Sequence, residues 1–425
     1  MPESRVHVVT FGCRANQYDS SMMGRLLDRS PSTDGNVPDV FVLNACTVTA
    51  LADRKARQAA RRIRREHPNS RIVLIGCLAE AVAQGWTSFG EADLLAGNAW
   101  KPRIVEAVQR ARFGETGRLP AAEPGPIDHE VGTGDPGRVR AYLKVQDGCS
   151  GACAYCRPRL VRGRPRNKPV DAAAAEAASL VRSGFPEIVL TGINLSQYAP
   201  GDGTLADVVR SVLAIDGLRR LRLASINPSG LSVALLDAFA EDPRACAHFH
   251  VPLQSGDDRV LRRMGRGYTV ADYLEAIDAA RRALPHATFG TDVIVGFPGE
   301  DDAAFANTCR IVKTVGFVNL HPFRYSARSG TAAATFSEQV PERTKRVRAD
   351  ALARHWRTDR RRRLDKRIGS TDHVLVEERR GRTWRGYTSD YVYVHFISEE
   401  EIPVGCVRPV RIVAVGNEHL EGTID

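Results

Sequence analysis

The sequence predicts a mixed α/β protein in three parts: a small doubly wound domain, a partial (β/α) barrel and a short antiparallel β-barrel. Three observations carry this. Continuously apolar, strand-like runs alternate with helical stretches in two series, from Val6 to about Arg110 and from Val139 to about Tyr325. A Gly- and Pro-dense segment without periodicity separates the two series. The final stretch of about sixty residues has turn signals and short strands but no helical pattern. At roughly 150 residues per domain, 425 residues suit about three domains.

In the first part, VHVVTF, DVFVLN, RIVLIG and ADLLAG are continuous Val/Ile/Leu runs rather than alternating ones. That is the pattern of parallel strands covered on both faces. Between them, SSMMGRLLDR and ADRKARQAARRIRREH have helical composition and few breakers. This part is assigned to residues 1–112. The segment FGETGRLPAAEPGPIDHEVGTGDPG reads as a linker over 113–137, the alternative being a long surface loop of one domain.

The barrel part, 138–365, holds the candidate strands AYLKVQ, EIVLTG, RLRLAS, HFHVPL, FGTDVIVG and FVNLHPF. Its candidate helices are AAAAEAASLVRSG, LADVVRSVLAI, LSVALLDAFA, ADYLEAIDAARRAL and DAAFANTCRIVKTVG. Six such units suit a partial (β/α)6 barrel better than a closed eight-fold one, which needs about 250 residues. An arginine-heavy stretch from Thr344 to Arg367 reads as a helix. Residues 366–425 then read as the small β-barrel.

Composition narrows the class. Hydrophobic residues make up 43% and charged residues 26%, an ordinary globular balance that excludes disorder throughout. Nine cysteines are too sparse for a disulfide scaffold, and an odd count leaves one over. MPESRVHVVTFGC has no long apolar core or small-residue cleavage site, and no window has the 18 or so apolar residues of a membrane span. The expectation is a soluble cytoplasmic protein, without membrane contact and by default a monomer. Its cysteines then need a reason other than disulfides.

Cys149, Cys153 and Cys156 stand in QDGCSGACAYC, directly after the first barrel strand. Three thiolates this close can wrap a metal centre from one loop, and Gly148, Ser150, Gly151 and Ala152 let the backbone curl around it. Tetrahedral zinc wants a fourth Cys or His, and RPRLVRGRPR supplies none. On a [4Fe–4S] cluster, three thiolates leave one iron open, at the end of a barrel where such folds do chemistry. The alternative is an ordinary zinc loop.

Cys13, Cys46 and Cys77 are dispersed, yet each lies within about three residues of a predicted strand end. In a parallel sheet all C-terminal strand ends share one edge, so three loops aim three thiols at one region. That pattern points to a second three-thiolate cluster; buried packing cysteines are the alternative. Cys246, Cys309 and Cys406 lack partners at any ligand spacing and read as packing residues.

With these residues in view, the chain resembles the radical S-adenosylmethionine methylthiotransferases, and within them the type (MtaB type) that acts on threonylcarbamoyladenosine of tRNA. The segments that carry the resemblance are TFGCRANQYDS, LNACTVTALADRKARQAARRIRR, IGCLAE, YLKVQDGCSGACAYC, EIVLTGINLSQY, HVPLQSGDDRVLRRMGRGYT, TDVIVGFPGE and HPFRYSARSGTAAA, which span nearly the whole chain. The pair Gln17-Tyr18 and the run Cys46-Thr47-Val48-Thr49 draw it toward that subgroup.

The resemblance implies a flavodoxin-like methylthiotransferase domain, a partial radical SAM barrel and a terminal TRAM β-barrel. It implies two [4Fe–4S] clusters. The one on Cys149, Cys153 and Cys156 would bind S-adenosylmethionine at its open iron and yield a 5′-deoxyadenosyl radical that takes hydrogen from an adenine carbon. The auxiliary one, on Cys13, Cys46 and Cys77, would carry or deliver sulfur, and a second S-adenosylmethionine would supply the methyl group. A tRNA, an electron donor and a sulfur source are the implied partners. The sequence departs from the family's pattern at Arg157 and Arg159, where relatives usually carry an apolar pair, and at Asn227, where an acidic residue is common.

Candidate cofactor contacts are the small or polar residues closing barrel strands: Thr191, Gly192 and Asn194; Gln254 and Ser255; and Gly296, Gly299 and Glu300 of GFPGE. The two glycines would let backbone approach adenine and ribose. Each residue could equally serve a loop or a helix cap.

The 60 Lys and Arg exceed the 50 Asp and Glu, for a net charge of +10. The excess concentrates in Arg54–Arg65, in Arg157–Lys168 and in the arginine-heavy helix, as phosphate-binding patches for a folded RNA would. Solvated helix faces are the bland alternative. Trp384, Tyr387, Tyr391, Tyr393 and Phe396 could stack bases or fill a core. Three functions compete: methylthiolation of threonylcarbamoyladenosine beside the anticodon; the same chemistry on isopentenyladenosine or a ribosomal-protein aspartate; and a non-catalytic RNA-binding protein with a structural metal.

Overall fold

A computed structural model describes residues 5–27, 38–47 and 49–424 of the chain. The end of the helix expected over SSMMGRLLDR, and Val48, lie outside these residues.

The first part is a parallel five-stranded sheet. It is built from β1 (Val6–Phe11), α1 (Arg14–Leu26), β2 (Val40–Ala45), α2 (Ala50–Glu66), β3 (Arg71–Ile75), α3 (Cys77–Ala83), β4 (Leu94–Ala96), α4 (Ile104–Arg112) and β5 (Gly117–Arg118). Strand order is β1-β2-β3-β4-β5; β5 lies inside the 113–137 segment read as a linker, and Leu119 packs in the same core, so the sheet runs past residue 112 because the chain adds one short parallel edge strand before leaving it. Helices cover both faces: Met22 and Met23 of α1 pack with Ile104 and Ala107 of α4 on one, Ala56, Ala60 and Ile63 of α2 on the other. That explains why the strands read as continuous apolar runs. The order lacks the reversal of a flavodoxin sheet. Register aligns Phe11 with Ala45 and Asn44 with Ile75, so β1, β2 and β3 end level.

The chain enters the barrel at β6 (Arg140–Lys144). A hairpin, β7 (Gln146–Asp147) with β8 (Arg166–Asn167), brackets the three-cysteine loop and the short α5 (Pro158–Arg162). Then follow α6 (Val170–Arg182), β9 (Glu187–Thr191), α7 (Leu205–Leu213), β10 (Arg220–Leu223), α8 (Val233–Ala240), β11 (His248–His250), α9 (Asp258–Arg263), α10 (Val270–Ala283), β12 (Thr288–Val295), α11 (Asp302–Val315), β13 (Asn319–Arg324) and α12 (Glu342–Asp365). Two parallel sheets, β6-β9-β10 and β11-β12-β13, join through the bridges Leu221–Ala245 and Ser225–His250 into an open six-strand barrel. Alternation sends Phe249, Val293 and Leu320 outward to the helices and His250, Asp292 and His321 inward.

The last five strands, β14 (Thr371–Arg380), β15 (Thr383–Thr388), β16 (Tyr393–Ile397), β17 (Val407–Val415) and β18 (Leu420–Thr423), form a closed barrel. Bulges at Val376/Glu378 and Ile412/Ala414 bend the strands for closure. Trp384 and Phe396 lie in its core, whereas Tyr387 and Tyr393 alternate to the outer face. Among the described residues no helix is long and apolar enough to cross a membrane.

The arginine-heavy helix is wired into the fold along one side. In α12, Arg348 donates to Glu300 and Asp302, Arg360 to the Val318 carbonyl and Arg363 to the Phe317 carbonyl. The Arg157–Lys168 stretch differs more from expectation: Arg157, Arg162 and Lys168 are buried between the first part and the barrel. Their charge is matched by carboxylates and carbonyls rather than offered to a ligand's phosphates.

Candidate active site

The dispersed cysteines come together. Each sits one or two residues beyond a level strand end, Cys13 after β1, Cys46 after β2 and Cys77 at the start of α3. Gly12 makes the approach possible: its φ is +113°, and a Cβ there would lie 2.1 Å from the Cys46 Cβ. The hydrogen bond with Cys46 holds the Cys13 thiol down at about 6, and the Arg162 guanidinium adds to this. Cys77 Sγ lies 3.8 Å from both Oδ1 and Nδ2 of Asn98, whose Nδ2 also donates to the Val161 carbonyl.

The clustered cysteines form the second centre. Gly148 turns the loop at φ +76°, where a Cβ would meet the Arg164 carbonyl at 2.1 Å. Gly151 N–H donates to Cys149 Sγ at 3.2 Å. Asn194 donates to Cys149 Sγ at 3.5 Å and accepts from Asn227, which accepts from Arg266 at 2.6 Å; Arg266 in turn donates to Cys153 Sγ at 3.3 Å. A polar arc thus runs around the loop from one cysteine to the next. Burial pushes the Cys156 thiol up to about 11, so that thiolate needs a bound cationic centre to form readily.

The donor chemistry fits the group: six thiols in two triplets are the ligands that two [4Fe–4S] clusters take, three on each. Cys246, Cys309 and Cys406 pack in or against hydrophobic cores, as expected.

The other candidate residues divide by neighbourhood. Gln146 accepts from the N–H groups of Ile193 and Asn194 at 3.0 and 2.7 Å, clasping the turn after Thr191 and Gly192 against the cysteine loop. Gln254, at φ +64°, bridges to β12 through its backbone. Ser255 faces Thr308 of α11 at 3.5 Å. Glu300 accepts from Gly296 N–H and Arg348, both at 2.8 Å. A Cβ on Gly296 would meet the Lys345 side chain at 2.3 Å, and one on Gly299 would meet Arg263 at 3.3 Å. Sequence reasoning missed Gln146, Arg162 and Arg266, although all three stand within or beside the cysteine and QSGDDRVLRRMGRG motifs.

A cavity of about 720 Å³ opens between the barrel interior, α12 and the closed barrel. Arg14, next to Cys13, reaches it from α1, with Nη2 3.5 Å from the Tyr391 hydroxyl. Arg222 lies over the Tyr391 ring at 4.5 Å. His250 Nε2 stands 3.1 Å from Asp292 Oδ1. Burial, with Arg222 adding, holds His248 well below its ordinary value, so it is a neutral hydrogen-bonding wall. The cavity is polar and cationic, with tyrosine faces on the closed-barrel side.

Residues 143–312 match the Radical SAM superfamily and residues 5–97 match the Uncharacterized protein family UPF0004. The chain is 34% identical, over 98% of its length and 97% of the relative's, to the threonylcarbamoyladenosine tRNA methylthiotransferase MtaB of Chlamydia pneumoniae. It is 35% identical to the protein so named in Thermotoga maritima, over 97% and 95% of the two chains. A tRNA-2-methylthio-N(6)-dimethylallyladenosine synthase of Pelotomaculum thermopropionicum is 31% identical over 99% of this chain and 97% of its own. Among solved structures, the radical S-adenosylmethionine methyltransferase TsrM from Kitasatospora setae superposes with a TM-score of 0.55 at 15% identity, over 78% of this chain and 75% of its own, a likeness of fold. S-adenosylmethionine and [4Fe–4S] clusters are the cofactors of this chemistry. With two full-length relatives above one-third identity or close to it and a sheet-plus-barrel architecture to match, the chain belongs to the radical S-adenosylmethionine methylthiotransferases.

Proposed function

We propose that this enzyme adds a methylthio group to C2 of N6-threonylcarbamoyladenosine beside the anticodon of tRNA. In this reading Cys149, Cys153 and Cys156 hold the cluster that binds S-adenosylmethionine, and Cys13, Cys46 and Cys77 hold the auxiliary cluster. When bound, these groups supply radical hydrogen abstraction, sulfur and a methyl group. Asn194, Asn227 and Arg266 orient the polar end of S-adenosylmethionine above the cysteine loop, and Thr191, Gly192 and Gln254 frame the rest. The closed barrel serves as a TRAM-like RNA-binding module, with Tyr387, Tyr391 and Tyr393 offered to nucleotides.

The observation that carries the choice of base is the Arg14 guanidinium at the edge of the interior cavity, whose one side-chain hydrogen bond among the described residues is to the Tyr391 hydroxyl at 3.5 Å. A threonylcarbamoyl group ends in a carboxylate, which a guanidinium binds with charge-assisted hydrogen bonds. A dimethylallyl group has no polar atom, and seating it there would strip water from Arg14 without replacement. The test presents the reconstituted enzyme with two tRNAs, one carrying each modification, and measures methylthio nucleosides by mass spectrometry. Product on the threonylcarbamoyl tRNA alone supports the reading; product only on the dimethylallyl tRNA overturns it.

A further inference from the structure

Arg157 follows Cys156, Thr47 follows Cys46, and Arg157 Nη1 donates to Thr47 Oγ1 at 2.9 Å. The contact lies in a small buried knot. Arg157 also gives two hydrogen bonds to the Ser329 carbonyl, at 2.8 and 3.3 Å, and its guanidinium lies 5.5 Å from the Trp86 ring centre. Arg328, one residue before Ser329, donates to the Thr47 carbonyl at 3.0 Å, to Thr47 Oγ1 at 2.9 Å and to Asp53 of α2. A Cβ on Gly330 would strike Trp86 at 2.3 Å, which shows how closely the barrel's loop after β13 fits the ring. Arg157 is 3% exposed and Thr47 is fully buried.

We infer that Arg157, with Arg328 and Thr47, is a positioning device that locks the loop of one cysteine triplet to the loop of the other and so fixes the separation and mutual orientation of the two centres. The inference rests on the ligand assignment above. Residues 46–47 and 156–157 are consecutive pairs, so a shift of the Arg157–Thr47 contact carries to the neighbouring cysteines with little slack. The guanidinium is anchored on three sides by a hydroxyl, a carbonyl and an indole, and a planar fork with fixed donors holds direction as well as distance. Asp53 Oδ2 lies 3.9 Å from Arg157 Nη1 and also pairs with Arg328, so one carboxylate balances the two adjacent positive charges. None of these residues touches a reacting atom; they act through the cysteine loops.

The experiment uses the anaerobically reconstituted full-length enzyme and its Arg157→Leu, Arg157→Lys and Thr47→Val variants. Three quantities are read: iron per chain, the magnetic interaction between the two reduced clusters by electron paramagnetic resonance, and deoxyadenosine formed per methylthio product. Expected for Arg157→Leu and Thr47→Val are unchanged iron, a weakened or altered spin–spin interaction, and an uncoupling ratio raised about ten- to a hundredfold, the cost of roughly an ångström of misplacement. Arg157→Lys falls between, because one ammonium cannot reach the hydroxyl and the carbonyl in the same geometry. Should Arg157→Leu fail to fold, Thr47→Val, which removes a single hydroxyl, decides the matter. Unchanged spin interaction and unchanged coupling ratio in the folded variants overturn the inference. Failure of the ligand reading looks different: the unaltered enzyme would then hold a single cluster and show no such interaction.

Discussion

Arg162 Nη1 is shared by both carboxylate oxygens of Asp147, 2.9 Å from Oδ1 and 3.0 Å from Oδ2, while its Nη2 reaches Asp19 of α1 at 2.9 Å. Asp147 stands two residues before Cys149, and α1 begins one residue after Cys13, so this buried guanidinium spans the roots of both cysteine loops. Lys101 and Lys144 complete the compensation of Asp19, whose carboxyl burial would raise but which the three cations hold well below its usual range.

Removing one cation from such a knot leaves carboxylates buried without their full complement. Arg162→Met should cost about 3–5 kcal/mol of stability, as broken buried pairs do. Arg162→Lys keeps the charge, loses the two-point grip and should cost less. Urea denaturation of the cluster-free protein measures both, and equal loss in the two variants would show that shape rather than charge matters here.

The two triplets should lose iron independently. Cys153→Ala is expected to abolish deoxyadenosine formation and leave about half the iron of the unaltered protein. Cys46→Ala should keep reductive cleavage of S-adenosylmethionine, lose the other half and stop thiolation. Iron analysis and Mössbauer spectra of the anaerobic proteins check this; loss of the same iron from both would mean one shared centre.

Much of this arrangement was legible in the sequence, for identifiable reasons. Strand ends can be read from apolar runs, and level strand ends turn Cys13, Cys46 and Cys77 into neighbours without further information. All six barrel strands and the five longer barrel helices follow from the same periodicity. The six-residue α9 and the two-residue strands bracketing the cysteine loop are too short to leave a pattern. Helix α1 starts at Arg14, ahead of the expected segment, with Cys13 in extended backbone just before it and no side-chain cap.

Charge was the least legible property, because composition does not say which way a side chain points. The same residue type lies on an exposed helix face at one position and is an internal tie at another. Arg54, Lys55, Arg61, Arg62 and Arg65 keep the exposed face of α2, whereas Arg157, Arg162 and Lys168 turn inward. Trp384 and Phe396 divide from Tyr387 and Tyr393 in the same way, and there strand alternation decides.

That division predicts opposite behaviour for equal substitutions. Arg62→Gln and Arg65→Gln should leave stability nearly unchanged and lower the slope of log K for tRNA against log salt by up to about one each. Arg348→Gln, which strips Glu300 of its buried partner, should instead destabilise the barrel at any salt concentration. Filter binding across a salt series, alongside thermal unfolding, separates the two effects.

Stability should fall on mild acidification through His248. Burial, then Arg222, depresses its pKa in the folded chain well below the unfolded value of about 6.5. Below pH 6.5 the unfolded chain takes up a proton that the folded chain refuses, so unfolding becomes easier by up to about 1.4 kcal/mol per pH unit. His321, depressed mainly by burial, contributes in the same direction. Asp19 and Glu187 are held down in the folded state, so their contribution is lost only on further acidification, below about pH 4. Between pH 6.5 and 5 the histidines therefore act ahead of these carboxylates, and in the cluster-free protein the Cys13 thiolate, held at about 6, also takes up its proton there. His248→Gln should reduce the stability slope there by up to one proton, as denaturant titrations at several pH values would show.

Arg14 offers the sharpest test of base recognition. It is anchored on the first turn of α1 and leans toward Tyr391 of the closed barrel, so its guanidinium marks where the sheet, the barrel interior and the last module meet. A substrate carboxylate seated there would be shielded from water on several sides, where truncating one partner of a charge pair costs about 2–5 kcal/mol. Arg14→Ala should therefore lower kcat/KM for threonylcarbamoyl tRNA by at least about thirtyfold, the lower end of that range. The same change should leave kcat/KM for a tRNA lacking the carboxylate nearly as it was, because no pair is broken there. Competition between the two tRNAs reads the ratio directly, and deoxyadenosine formed without any tRNA serves as the control for intact clusters. An equal fall on both tRNAs would assign Arg14 to the phosphate backbone instead of the modified base.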